Sequence, residues 1–360
     1  MRNKQTWEVE KLGNEKESSK ENGKYTITDV AEMMGVSKST ISRAMNGSPG
    51  VGKELRQKVL SFVDEIGYQP NALAKGLSKG RLNIVALILG DIRNPFYADL
   101  AFYIQKDLRE DGFMVMVFNS EYDSQKEMEF IQRAIQLNFA GLILLTAQKK
   151  EIRKKLEQVE IPVVLVNRIL EGYEGDSVLL DNFKAGYIAT MHLIELGHPK
   201  VAFVSGQSTS SASMQRYEGY RQALKTYGIA FDESWVFYSD LRMDTGYQVA
   251  KEYIADLDSR PSAVVVSNDM TAIGFIECCR ENQIKIPEQI SLVSFDDIEI
   301  ASLYDLQITT VSQHVQEMSR RAAKLMHKRL LNPEGKAERV ILDPTLMVRK
   351  TTCQYQAKNF

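Results

Sequence analysis

Cysteine is scarce, with three in 360 residues. Cys278 and Cys279 are adjacent and Cys353 lies far away, so no spacing resembles a zinc site or a disulfide framework. Long apolar runs are missing too. The longest, Ile84-Val85-Ala86-Leu87-Ile88-Leu89, is strand length and far short of the roughly 20 residues that cross a bilayer. No signal-peptide core opens the chain, so a cytoplasmic location without a membrane partner is expected. Histidine is equally rare. His192, His198, His314 and His327 show no metal spacing, and neither a nucleophile-elbow Gly-x-Ser-x-Gly nor a phosphate-cradling glycine loop occurs. These gaps speak against an enzyme and against any cofactor. His198, after Gly197, reads as a structural cap rather than a base.

What is present is an ordinary globular composition, 44% hydrophobic and 26% charged, long enough for two or three domains. The net charge of −2 divides unevenly. Residues 24–80 hold eight Lys/Arg against five Asp/Glu, a surplus of +3, which leaves about −5 for the remainder. A basic head on an acidic body suits a head that meets phosphate.

Residues 1–23 are polar without apolar period and read as a disordered N-terminal tail. Residues 24–70 read as three short helices. Thr28 is placed to cap the first, which begins at Asp29 and stops at Gly35. Ser37 caps the second, which runs to about Met45. The third spans about Lys53 to Ile66, with Leu55, Val59, Phe62, Val63 and Ile66 at helical steps. Residues 71–80 form a hinge helix or linker too short to be stable alone. From Leu82 strands and helices alternate. Strands are expected at Ile84–Leu89, Met114–Phe118, Gly141–Leu145, Val163–Val166, Val201–Val204, Ala263–Ser267 and Ser291–Phe295, the pattern of an open parallel α/β fold in two lobes. Residues 353–360 close the chain as a tail.

In the head, Ala31, Gly35, Val36 and Ile41 stand where a helix-turn-helix needs small, turning and inward residues. Lys38, Ser39, Ser42 and Arg43 then point outward on a helix that fits the major groove. Arg43 can give two hydrogen bonds to a guanine edge, and Ser37, Thr40 and Ser42 suit phosphates or close base contacts. An ordinary helical hairpin with a solvated polar face fits this spacing equally well.

Longer motifs decide between them. Thr28-Asp29-Val30-Ala31, Gly35-Val36-Ser37, Thr40-Ile41-Ser42-Arg43, Asn46-Gly47 and Gly67-Tyr68-Gln69-Pro70-Asn71-Ala72-Leu73-Ala74 resemble the headpiece of the lactose-repressor/galactose-repressor (LacI/GalR) family. The resemblance continues through Asn94-Pro95-Phe96, Asp181-Asn182, Gly197-His198, Asn268-Asp269, Phe295-Asp296-Asp297 and Pro344-Thr345-Leu346-Met347-Val348-Arg349. It covers nearly all of residues 25–352. The first 23 residues are longer than the family usually carries. The resemblance implies a multidomain chain with an all-α helix-turn-helix headpiece and an α/β two-lobed, periplasmic-binding-protein-like body at residues 81–352. Lobe N is expected at about 81–181 and 312–340, lobe C at about 182–310 and 341–352, with hinge crossings near 181, 311 and 340. It places Lys38, Ser39 and Arg43 on base-reading positions and adds Thr28, Asn46, Tyr68, Asn71 and Ala74 to the DNA contacts. Leu77 falls on the hinge leucine that wedges into the minor groove; without the resemblance it would read as a core leucine.

In the body the resemblance puts Asn94, Phe96, Asn167, Arg168, Arg216, Asn268, Asp296 and Gln313 around the interlobe cleft. Arg216 and Asp296 can donate and accept in pairs to vicinal hydroxyls. The plain alternatives are surface or interlobe ion pairs for those two and a core role for Phe96. Sugar-binding relatives often carry an aromatic that stacks on the ring, where this chain has Leu241. The expected function is a sequence-specific transcriptional regulator, a repressor, acting as a homodimer on near-palindromic double-stranded operator DNA. A small-molecule effector, a sugar or sugar derivative, is expected to control its affinity. A noncarbohydrate effector or a protein co-regulator, as in the catabolite-control branch, also fits. The rival readings are an enzyme and an exported solute-binding protein.

Overall fold

The computed structural model describes residues 25–68, 81–147, 149–256 and 260–356. The expected N-terminal tail and the hinge segment, with Asn71, Ala74 and Leu77, lie outside them. The chain divides into two compact units, one ending at Leu82 and the other starting at Asn83.

In the first unit, α1 is Ile27–Met34, α2 is Lys38–Met45 and α3 is Lys53–Glu65. The expected cap of α1 is corrected. Thr26, not Thr28, precedes the helix: its Oγ1 accepts from Asp29 N at 3.3 Å, while Asp29 Oδ2 accepts from Thr26 N at 2.7 Å. A capping box needs the carboxylate three residues after the cap, and Asp29 meets that condition only for Thr26. Gly35 closes α1 at φ 65°, and Ser37 Oγ caps α2 by accepting from Thr40 N at 3.1 Å. Val30, Ala31, Ile41, Ala44, Val59, Val63 and Tyr68 make the core of this unit.

The second unit holds two six-stranded sheets. The strands are β1 Leu82–Leu89, β2 Met114–Asn119, β3 Phe139–Leu144, β4 Val163–Val166, β5 Asp176–Leu180, β6 Ala202–Ser205, β7 Val236–Tyr238, β8 Ala263–Val266, β9 Ser291–Asp296, β10 Thr309–Ser312, β11 Arg339–Leu342 and β12 Thr345–Met347. The helices between them are α4 Pro95–Glu110, α5 Ser124–Gln136, α6 Lys150–Leu156, α7 Asn182–Glu195, α8 Ser211–Thr226, α9 Met243–Ile254, α10 Asp269–Glu281 and α11 Val315–Leu331. One sheet has the order β11-β5-β4-β3-β1-β2 and the other β12-β10-β9-β8-β6-β7. Strands β1 and β3 are apolar and buried nearly end to end, as parallel strands covered on both faces must be. Strand β12 runs antiparallel to its neighbour, β10.

Sheet membership locates the crossings between lobes. Val311 and Ser312 still pair with Phe295 and Asp296, so the second crossing falls at Gln313. Ile341 and Leu342 pair with Leu179 and Leu180, so lobe N keeps them and the third crossing falls at Asp343-Pro344. Helix α11 lies against α4 and across β3, β4 and β5, whereas α7 covers β8, β9 and β10. Helices α7 and α8 approach closely through Gly186, where an added Cβ would strike the Arg216 carbonyl.

Candidate DNA-reading face and effector cleft

In the headpiece, Ile41 and Ala44 turn α2 inward. At about 100° per residue, Lys38, Ser39, Ser42, Arg43 and Asn46 then occupy an arc of about 140° on the opposite side. Lys38, Ser39, Arg43 and Asn46 are exposed, while Thr28, Thr40 and Ser42 are half-buried. Ser37 Oγ also lies 2.7 Å from Ser39 Oγ and 2.8 Å from Thr40 Oγ1. These hydroxyls therefore shape the helix start as well as face outward. Asn46 donates from Nδ2 to Ser42 Oγ at 3.3 Å. Tyr68 packs into the headpiece core, so its ring is not part of the open face.

In the body, all eight residues expected at the cleft line one cavity at the carboxyl ends of the strands, between the two sheets. Asn94 caps α4, its Oδ1 accepting from Phe96 N at 3.0 Å. Asn167 and Arg168 follow β4; Asn268 caps α10 and accepts from Thr271 N at 3.0 Å. Asp296 ends β9 at φ 111°, and Asn167 sits at φ 54°. Both are left-handed positions that an ordinary side chain adopts at a cost of order 1–3 kcal/mol. Gln313 ties the lobes together: Asn167 donates from Nδ2 to Gln313 Oε1 at 2.8 Å, and Gln313 Nε2 donates to Asp296 Oδ1.

Arg216 donates from Nε to Asn182 Oδ1 at 2.9 Å and from Nη1 to the Ser267 carbonyl at 3.0 Å. Its guanidinium lies 4.4 Å from the centre of the Phe295 ring. Arg216 and Asp296 are 7% and 4% exposed, which removes the reading of surface charges. Burial lowers the Arg216 guanidinium to about 10. Burial pushes the Asp296 carboxyl up to about 7, against the pull of the Arg216 charge. Arg168 donates from Nη1 to the Asn167 carbonyl at 2.7 Å and from Nη2 to Tyr97 Oη at 3.2 Å. Phe96 belongs to the core cluster and lines the cavity at once.

Tyr97, Tyr122, Ser210, Ser213 and Ser267 line the same cavity without having been singled out from sequence. Ser210 was within reach, because it caps α8 as Asn268 caps α10. Leu241 lines it too, at φ 71°. The cavity measures about 30 Å³, room for a water or two, so a larger occupant requires the lobes to part. His198 is buried, with Nδ1 2.9 Å from Ser262 Oγ and Nε2 3.2 Å from the Cys353 carbonyl. It anchors the C-terminal segment, away from the cleft. Among the described residues no cluster of His, Cys, Asp or Glu could hold a metal ion, and no helix is long and apolar enough to cross a membrane.

The family model described as bacterial regulatory proteins, lacI family, matches residues 26–71, and that of a periplasmic binding protein-like domain matches residues 190–352. Two Bacillus subtilis proteins are similar along nearly their whole length. The HTH-type transcriptional regulator DegA is 30% identical, over 91% of this chain and 98% of its own. The NTD biosynthesis operon regulator NtdR is 32% identical, over 91% and 99%. A solved LacI family transcriptional regulator from Enterococcus faecium with bound ribose superposes with a TM-score of 0.67 at 27% identity, over 76% of this chain and 100% of that one.

Proposed function

This chain belongs to the lacI family of bacterial regulatory proteins, and from that premise we propose that a small polyhydroxylated molecule, bound between the lobes, sets its hold on operator DNA. The chain is a DNA-binding transcriptional regulator. Helix α2 is its reading element: Lys38, Ser39 and Arg43 address base edges, while Ser37, Thr40, Ser42 and Asn46 meet phosphates or nearby bases. Two copies of the chain present two heads to the half-sites of a near-palindromic operator in the cytoplasm. Repression is the mode this reading favours, and it assigns no reaction to the chain.

One observation carries the effector reading. Eight side chains from both lobes, far apart in sequence, converge on one buried polar cavity, with Gln313 at the crossing bonded to Asn167 and Asp296. A ligand that replaces those bonds acts on the spacing of the lobes, and only its unequal affinity for the open and closed spacing can shift DNA binding. The bound ribose in the Enterococcus faecium protein supports a sugar or sugar derivative. The test is Asp296→Ala in an operator-binding titration with and without effector, the effector first found by a thermal-shift screen of sugars, sugar phosphates and nucleobases. Loss of the response with unaltered ligand-free DNA binding is expected. A full response in the variant removes the cleft from the mechanism.

A further inference from the structure

The crossings between lobes run out from β5, β11 and β10 and into β12, at one edge of each sheet. Toward the other edges lie the turn after β1, in lobe N, and the turn after β7, in lobe C. From β5 to β1 is three strand spacings and from β10 to β7 four, about 14 and 19 Å at about 4.8 Å each. Asp91 stands in the first of these turns and Arg242 in the second. Asp91 is 4% exposed. Its Oδ1 accepts from Arg93 N at 3.1 Å and from Arg93 Nε at 2.9 Å, and its Oδ2 accepts from Arg93 Nη2 at 2.7 Å. Arg242 Nε, from the other lobe, lies 3.5 Å from the same Oδ2. That nitrogen is shut off from water and has no hydrogen-bond partner. Arg242 Nη1 is 3.9 Å from Asp240 Oδ2 in its own lobe. The Asp91 carboxyl is held below the usual carboxylate range, first by Arg93 and further by the Arg242 charge, against its burial. An ion pair open to water on both sides is worth little. Here the carboxylate is buried and the facing Nε is dry, which strengthens their attraction.

We propose that Asp91 and Arg242 form a latch between the lobes on the side of the cleft away from the crossings, which makes the closed spacing the resting state and the parting of this ion pair the step that admits a ligand. The inference needs the two lobes and stands apart from the effector reading. Arg93 and Asp91 are the fixed half, both in lobe N, with Arg93 holding the carboxylate charged and aimed. Arg242 is the half that leaves when the lobes part. Distance from the crossings gives the pair its leverage, since one rotation separates atoms in proportion to their distance from the axis. The latch also ties together two walls of the cavity. Asn94 N donates to the Asp91 carbonyl at 3.0 Å, Leu241 directly precedes Arg242, and both Asn94 and Leu241 line the cavity. Only the fraction of molecules with the latch parted takes up a ligand, so the strength of this pair sets how readily the cleft responds.

A second contact supplies the readout. The Ile169 amide of lobe N donates to Ser211 Oγ of lobe C at 2.9 Å, so its exchange with deuterium reports each opening of the lobes. The experiment follows this exchange by mass spectrometry in the full chain without ligand, for the parent, Arg242→Gln and Arg242→Glu. Exchange at Ile169 is expected to speed up about tenfold in Arg242→Gln. It should be faster again in Arg242→Glu, where two carboxylates meet. The amides of β1, inside lobe N, should keep the parent rate in both variants. Unchanged exchange at Ile169 in both variants overturns the proposal. Equal acceleration in the two overturns it as well, because side-chain size rather than charge would then be at work. So does acceleration that extends into β1, the sign of a lobe that has loosened throughout. Operator titration of the same variants without ligand separates this inference from the proposed function. Faster exchange at Ile169 with altered operator affinity supports both. Faster exchange with unaltered operator affinity supports the latch and counts against control of DNA binding by lobe spacing.

Discussion

Asp296 is a carboxyl group held out of water beside an equally buried guanidinium. Its protonated form is favoured by the fold, since burial pushes the group up to about 7. The stability it contributes is therefore complete at low pH and is lost as pH rises from the ordinary carboxylate range through about 7. Asp296→Asn, neutral throughout, should gain in melting temperature on the parent chain between pH 5 and pH 8. A gap that stays constant with pH would show that burial does not govern this carboxyl. Arg43 belongs to the other functional surface and is open to solvent. Arg43→Ala should lower specific DNA affinity by roughly 1–3 kcal/mol and blur one base-pair preference. Operator selection from a random pool checks this, and unchanged selectivity removes Arg43 from the readout. The eight cleft residues came from motif resemblance. The residues added by the structure, such as Tyr97 and Ser267, carry no local signal, because their role comes from which loops meet across two sheets.

Among the elements, α1 shows how one residue of offset escapes a sequence reading. Thr26 and Thr28 are both good caps in isolation, and only the reciprocal bonds with Asp29 choose between them. Thr26→Ala should destabilise the headpiece by about 0.5–2 kcal/mol, read by thermal unfolding of the full chain. Thr28→Ala should cost less. The long apolar strands were legible because parallel strands buried on both faces read as unbroken runs. Strands β5, β7, β10, β11 and β12 were not read, since none holds more than three consecutive apolar residues within its bounds. Helices α7 and α8 meet at Gly186, and that approach sets the place of Arg216. Gly186→Ala should cost about 1–3 kcal/mol through overpacking. It should also weaken effector binding, because the helices part where Arg216 is carried. A variant of normal stability and affinity would mean that the contact is not tight.

For the whole molecule, the proposed dimer joins the two functional surfaces. A basic head makes operator affinity fall steeply with salt, whereas effector affinity for an uncharged ligand should scarcely change. Leu77, outside the described residues, remains a proposal as the minor-groove wedge. Leu77→Ala should weaken specific binding and reduce the DNA bend, and a bend of the same size in a phasing assay rejects that role. Sedimentation of the free chain tests the dimer, since two half-sites need two heads.

The order of residues alone determined the division into a basic helical head and an α/β body, since helical and strand periodicity and charge are local properties of the chain. Motif resemblance then named the candidate surfaces. Only the tertiary structure decided where the lobes exchange chain and that eight distant side chains share one cavity. Those outcomes depend on ladder pairing and on burial among residues more than a hundred positions apart, such as Asn167 and Gln313, and no local pattern encodes them.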